Sequence, residues 1–162
     1  MRYASGNGWG EVGMSESSEP HYLTERPPPA LVRASGATVT ILVPAAVSGG
    51  AIGVIETVFP PGDGVPFHMH SREDETFYVV SGTGEFRLGD TTVVSGPGSI
   101  IFGPRDVPHT FRNVGDTDLK CLIVYSPGGF EQSFLDIAAL GEAGNDPRAT
   151  GIVLQRYGLT RA

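Results

Sequence analysis

The sequence predicts an all-β fold carrying a short helical tail. Three observations carry that reading. From residue 38 onward, β-branched and aromatic runs recur at spacings of about 8 to 12 residues, with turn signals between them. Glycine (23) and proline (13) are abundant in the 162 residues and follow no period, so they mark tight turns and not collagen. After Pro127-Gly128-Gly129 the apolar period becomes helical, with Phe130, Phe134, Ile137 and Ala138 at i, i+4, i+7 and i+8. Short strands joined this way close into a sandwich or barrel.

Residues 1–30 hold Gly6, Gly8, Gly10 and Gly13, an S-E-S-S-E run and R-P-P-P at Arg26 to Pro29. Such a segment buries too little apolar surface to offset its ordering entropy, so a flexible N-terminal arm is expected, with His21 a solvated tail residue. The barrel is expected over 31–127. Its strands are placed at 38–43, 51–59, 75–80, 84–88, 91–94, 99–102, 109–114 and 119–125. Gly89-Asp90 marks a tight hairpin between two of them. Leu119 to Tyr125 is apolar on both faces, which suits a strand covered by a second sheet or by a dimer partner. Residues 128–162 are expected to form a helical extension packed on the barrel. Its first helix ends near Gly141. Asp146-Pro147 caps and opens a second helix through about Tyr157, which Gly151 weakens.

Composition narrows the partners. The net charge is −7 and Lys120 is the single lysine, which argues against nucleic acid and anionic membranes. No apolar run approaches the roughly 18 residues of a membrane span, and the N-terminus lacks a signal pattern, so a cytoplasmic setting is expected. The lone cysteine, Cys121, sits in an apolar run and reads as a small buried hydrophobe.

Two stretches carry chemistry. In Gly62 to Gly82, His68 and His70 stand at i and i+2, so on an extended segment they share a face. Glu75 follows after S-R-E-D, enough chain to turn and return on a neighbouring strand; Glu73 and Asp74 are expected to be solvated. Three N/O donors describe a divalent transition-metal site that needs a fourth ligand. The second stretch, Gly98 to Asn113, offers His109 at the start of a strand after a proline-rich turn.

These stretches resemble the cupin family, specifically its single-domain (monocupin) members. The first motif of that family, a Gly, five residues, His-x-His, three or four residues, Glu, six residues and Gly, matches Gly62, His68, His70, Glu75 and Gly82. The second matches Gly98, Pro104, His109 and Asn113, with Asp106 where the family has glycine. Asp tolerates the left-handed region better than most residues, so the turn is expected to survive. The resemblance implies a jelly-roll β-barrel in which His68, His70, Glu75 and His109 bind one divalent metal per chain: nickel, manganese, iron, cobalt, copper or zinc. The donor set does not choose among them.

Strand parity places Glu75, Phe77 and Val79 on one face and His109 and Phe111 on another. With Phe67, Phe86 and Tyr125 these are the expected substrate-lining residues. An aromatic cup of this kind suits a flat, largely apolar aromatic substrate. The stretches P-F-H-M-H-S-R-E-D-E-T-F-Y-V-V-S-G-T-G-E-F and S-P-G-G-F-E-Q-S-F resemble the bacterial quercetinase-like monocupins, the flavonol 2,4-dioxygenases. That likeness implies a dioxygenase that opens a flavonol-type ring with dioxygen, Glu75 being both ligand and general base. Two alternatives stand beside it: a non-redox cyclase, isomerase, decarboxylase or lyase of secondary metabolism, and a non-catalytic module that binds a small ligand. A homodimer is expected, because apolar edge strands and the Phe130 and Phe134 face need cover.

Overall fold

Alternation of buried inward and more exposed outward side chains builds the central strands, although several outward positions, such as Tyr78, Val80, Ile100 and Phe102, are apolar. The computed structural model describes Leu23 and residues 25–161. Most of the expected N-terminal arm, His21 included, lies outside the described residues. Eleven strands are present among those described: β1 (Leu31–Val32), β2 (Thr38–Val43), β3 (Gly53–Phe59), β4 (His68–His70), β5 (Asp74–Ser81), β6 (Gly84–Leu88), β7 (Thr91–Ser95), β8 (Ile100–Gly103), β9 (His109–Asn113), β10 (Leu119–Ser126) and β11 (Leu159–Arg161). They form two antiparallel sheets, ordered β1-β2-β3-β10-β5-β8 and β11-β4-β9-β6-β7. This is the jelly roll expected from the sequence. Each strand expected from residue 38 onward has an observed counterpart, with ends differing by two residues or fewer.

The inner face of the first sheet presents Ile55, Thr57, Phe59, Phe77, Val79, Ile123 and Tyr125, all buried. The second presents His68, His70, Phe86, His109, Phe111 and Asn113, also buried. One end of the interior is closed by aromatic rings. Phe77 meets Phe86 and Phe111 edge-on, at centroid distances of 5.6 and 5.3 Å, and Phe86 stacks on Phe111 at 5.6 Å. Each such ring contributes about 1.5–3 kcal/mol through burial. Cys121 lies at the same end, fully buried, and burial pushes its thiol up to about 12.

The tail contains α1 (Gln132–Ala138), a 3-10 turn at Gly141–Asn145 and α2 (Pro147–Arg156). Asp146 caps α2 by accepting from the Arg148 N–H at 2.9 Å, with Pro147 in the first turn. The tail is not wholly helical, however. After α2 the chain turns back through Gly158, and β11 joins the second sheet against β4. Three residues are too few to show a period, so this strand leaves no pattern in the sequence. No helix among the described residues is long and apolar enough to cross a membrane.

One carboxylate ties the tail to the barrel. Glu131 is buried, and it accepts from the Ala45 N–H at 2.7 Å and the Gly129 N–H at 2.8 Å. It fits there because residue 53 is glycine: a Cβ at Gly53 would fall inside the space occupied by Glu131 Oε2. Gly53→Ala is therefore expected to overpack this junction and to cost about 1–3 kcal/mol in chemical denaturation, without altering the strand content seen by circular dichroism.

Candidate metal centre

The four sequence-predicted ligands converge, and they come from both sheets. His68 on β4 pairs directly with His109 on β9, so both imidazoles project from one face at one level. His70 sits two residues along β4, opposite Leu159 of β11. Glu75 faces them from the other sheet. The chain between His70 and Glu75 does not return on a neighbouring strand, because β4 and β5 belong to different sheets. Residues 71–73 cross the sandwich instead, and that crossing aims the carboxylate at the imidazoles. Next to it, β10 places Tyr125 in register with Glu75.

One donor atom from each of His68, His70, Glu75 and His109 lies within 4.8 Å of the others, and all four residues are buried. Donors on opposite sides of an ion bonded at about 2.1 Å lie about 4.2 Å apart, so small rotations bring this cluster onto a cation. The orientation of each ring is set from behind. His68 Nδ1–H donates to the Pro66 carbonyl at 2.8 Å, and His109 Nδ1–H donates to the Val107 carbonyl at 2.9 Å. Each therefore turns Nε2 inward. His109 Nε2 meets Glu75 Oε2 at 2.8 Å, and His70 Nε2 lies 3.5 Å from the same oxygen with no hydrogen-bond partner. A buried, unpartnered imidazole nitrogen beside two further imidazoles and a carboxylate is a donor set that fits a divalent transition metal.

The electrostatics prepare these donors. Burial lowers the His68 pKa to about 4, against the pull of Glu75, so the ring is neutral near pH 7 and its lone pair is available. Burial alone would raise Glu75. The His109 hydrogen bond and the three imidazoles outweigh it and hold the carboxyl below its ordinary range. For His109, burial would lower the pKa, but the Glu75 hydrogen bond and charge raise it. Burial pushes the Tyr125 phenol well up, helped by the charge of Glu75 and a hydrogen bond with it, so Tyr125 keeps its proton.

The turn before His109 holds together as expected. Asp106 adopts a φ of 63°, and its N–H donates to the His70 carbonyl at 2.7 Å. Arg105 grips Asp74 with two guanidinium contacts of 3.0 Å, which hold the Asp74 carboxyl down to about 2. Asp74 is thus a paired anchor. Glu73, also expected to be solvated, is only 5% exposed and faces His70 Nδ1 at 3.5 Å. Asn113, the last residue of the second motif, is no ligand. Its amide donates to the carbonyls of Phe59 and Thr117, both at 2.8 Å, and its oxygen accepts from the Gly115 N–H.

A cavity of about 630 Å³ opens over the cluster. Of the residues expected to line it, Phe111 and Tyr125 do so. Phe77, Val79 and Phe86 point inward but pack at the closed end, and Phe67 lies outside beneath the Arg87 guanidinium, 4.6 Å from its ring centroid. Parity fixed the face of each side chain but not its depth along the strand. The wall also uses Ile55, Thr57 and Ile123, inward residues of β3 and β10 that were not among those expected. The tail supplies Phe130, whose ring meets His70 edge-on at 4.3 Å, and Phe134. That helix face covers its own barrel. Arg33 and Arg161 stand at the cavity as well.

Because Glu75 raises the pKa of His109, a cation must displace a proton held more tightly than in free histidine. Metal uptake is expected to release protons, and affinity to rise with pH through the region above the ordinary histidine value. Chelator competition on either side of neutrality, and calorimetry in buffers of different ionisation enthalpy, measure both effects.

Comparison with known proteins agrees with this geometry. A family model described as Cupin domain matches residues 55–125. Protein SchB of Streptomyces halstedii is 32% identical over 97 residues, which cover 59% of this chain and 69% of SchB. Polyketide synthase CurC of Streptomyces cyaneus is 32% identical over 90 residues, covering 54% of this chain and 57% of CurC. A solved structure from Thermotoga maritima, described as a predicted oxalate decarboxylase, superposes with a TM-score of 0.53 at 28% identity, over 56% of this chain and 80% of that one. The chain belongs to the cupin family.

Proposed function

We propose that this chain is a metal-dependent enzyme that removes a proton from a hydroxylated or enolisable, largely apolar ring substrate of the polyketide type. One observation carries the reading: an ionised, buried carboxylate, Glu75, stands among three imidazoles at the floor of a cavity whose walls are mainly apolar. A volume of about 630 Å³ suits a molecule of two or three fused rings. The likeness to CurC supports the polyketide class.

His68, His70 and His109, together with Glu75, would hold one divalent cation. When bound, it would lower the pKa of a substrate hydroxyl and stabilise the oxyanion that results. The chain's own residues do the rest. Glu75 accepts the proton at Oε2, the oxygen now paired with His109. His68 and His109 keep their rings fixed through the Pro66 and Val107 carbonyls while that proton moves. Tyr125, still protonated, stays a hydrogen-bond donor beside Glu75. Phe130 and Ile123 exclude water from the floor, which strengthens each of these interactions. Arg161 adds a cationic group to the cavity, where an acidic substituent on the ring would be matched; Arg33, also at the wall, already faces Asp63.

Proton abstraction is shared by two outcomes. Cyclisation or isomerisation without oxygen is the reading the polyketide relative favours. Flavonol-type ring opening by dioxygen is the second, favoured by the quercetinase-like stretches around His68 to Phe86 and Ser126 to Phe134. Protein loaded with each divalent metal in turn is to be incubated with polyketide-type aromatics and flavonols. Product mass, oxygen uptake and carbon monoxide separate the two outcomes. Glu75→Gln, compared at equal metal occupancy, is expected to lose about 10²–10⁴-fold in turnover. An unchanged rate in that variant would refute the base role, and ligand binding without turnover under every metal would leave only a binding module.

A further inference from the structure

His70 is the one imidazole of the cluster whose outer nitrogen meets no backbone carbonyl. His68 and His109 each give Nδ1–H to a carbonyl two residues back, Pro66 and Val107. Behind His70 stands a carboxylate instead. Glu73 Oε2 lies 3.5 Å from His70 Nδ1, and neither atom has a hydrogen-bond partner. Glu73 is 5% exposed and His70 1%. The cavity wall includes His70 and Glu75 but not Glu73. The carboxylate therefore sits on the far side of the ring from any substrate.

A carboxylate is seldom buried without a function for its charge. Here the facing groups are complementary. With the proton on Nδ1, His70 offers N–H to Glu73 and its Nε2 lone pair to the cluster, where Glu75 Oε2 lies 3.5 Å away. With the proton on Nε2, a lone pair would face the Glu73 carboxylate and the ring would be lost as a donor. Phe130, edge-on at 4.3 Å, and the stacked His109 ring, at 5.6 Å and 15°, limit the tilt of the imidazole. They do not choose its tautomer.

We propose that Glu73 is a positioning residue for the metal: its carboxylate faces His70 Nδ1 and selects the tautomer that presents Nε2. Glu73 touches no substrate and takes no proton from it. The inference rests on the metal-binding reading above. The arrangement matches a general property of imidazole ligands, whose outer N–H is held by a carboxylate or carbonyl, at a cost of about 10–100-fold in affinity when the holder is removed.

The test uses the full chain and cobalt(II), whose visible bands report ligand geometry. Parent, Glu73→Ala and Glu73→Gln are titrated against a competing chelator. The Ala variant is expected to bind cobalt at least about tenfold more weakly with shifted bands, and the Gln variant, which can still accept from Nδ1–H, to lie between it and the parent. Parental affinity and spectrum in Glu73→Ala would overturn the proposal. Should that variant fail to fold, Glu73→Gln decides alone, and parental behaviour in it would overturn the proposal equally. A parent that binds no divalent cation is a different failure, because it removes the metal-binding reading itself.

Discussion

The structure depends on the burial of one ionised carboxylate between two sheets. Glu75 is only 3% exposed. An isolated carboxylate there would be protonated. It stays ionised because three imidazoles reach it from the opposite sheet, His109 at 2.8 Å. That requirement explains the surrounding architecture. β4 and β9 must pair so that His68 and His109 stand level. The 71–73 segment must cross the sandwich and not turn beside β4. Arg105 and Asp106 must pin the turn before His109 to Asp74 and to the His70 carbonyl. Each is a condition for placing the imidazoles opposite Glu75.

A second condition is that the interior be filled at one end and open at the other. At the closed end, Phe77, Phe86 and Phe111 fill the interior, and the buried Asn113 amide there is fully hydrogen-bonded. At the open end, Phe130 lies edge-on to His70 and, with Phe134, forms a wall of the cavity. The tail is therefore part of the site, and Glu131, locked against Gly53, fixes where it begins. β11 adds a third strand beside the ligand strands and stiffens β4, which otherwise has few partners.

Most of the fold was legible because strands announce themselves by period and turns by glycine. The meeting of His68, His70, Glu75 and His109 was legible because two motifs fix spacing, and spacing on strands fixes face. What stayed hidden shares one physical cause. Periodicity reports the face of a residue but neither its depth nor the sheet to which the chain crosses. Phe77, Val79 and Phe86 therefore read as lining, although only Phe111 and Tyr125 of that set stand on the cavity wall. Glu73 read as solvated because acidic residues in S-R-E-D usually are; only the crossing to the other sheet buries it behind His70. β11 was too short to carry a pattern, and its existence is a property of β4 needing a neighbour.

The division of donors between sheets has a chemical consequence. Each imidazole is held by a group outside the cluster or faces one: Pro66, Val107 and Glu73. Glu75 is different. Its identified partners, His109, His70 and Tyr125, belong to the cluster and its floor. When a proton or a cation arrives, the imidazoles keep their outer anchors, while none of the identified partners of Glu75 lies outside the cluster and its floor. The carboxylate is thus the member of the set best able to exchange partners without disturbing either sheet. The base role proposed for Glu75 needs that freedom, because a base must pick up a proton and release it again in each turnover.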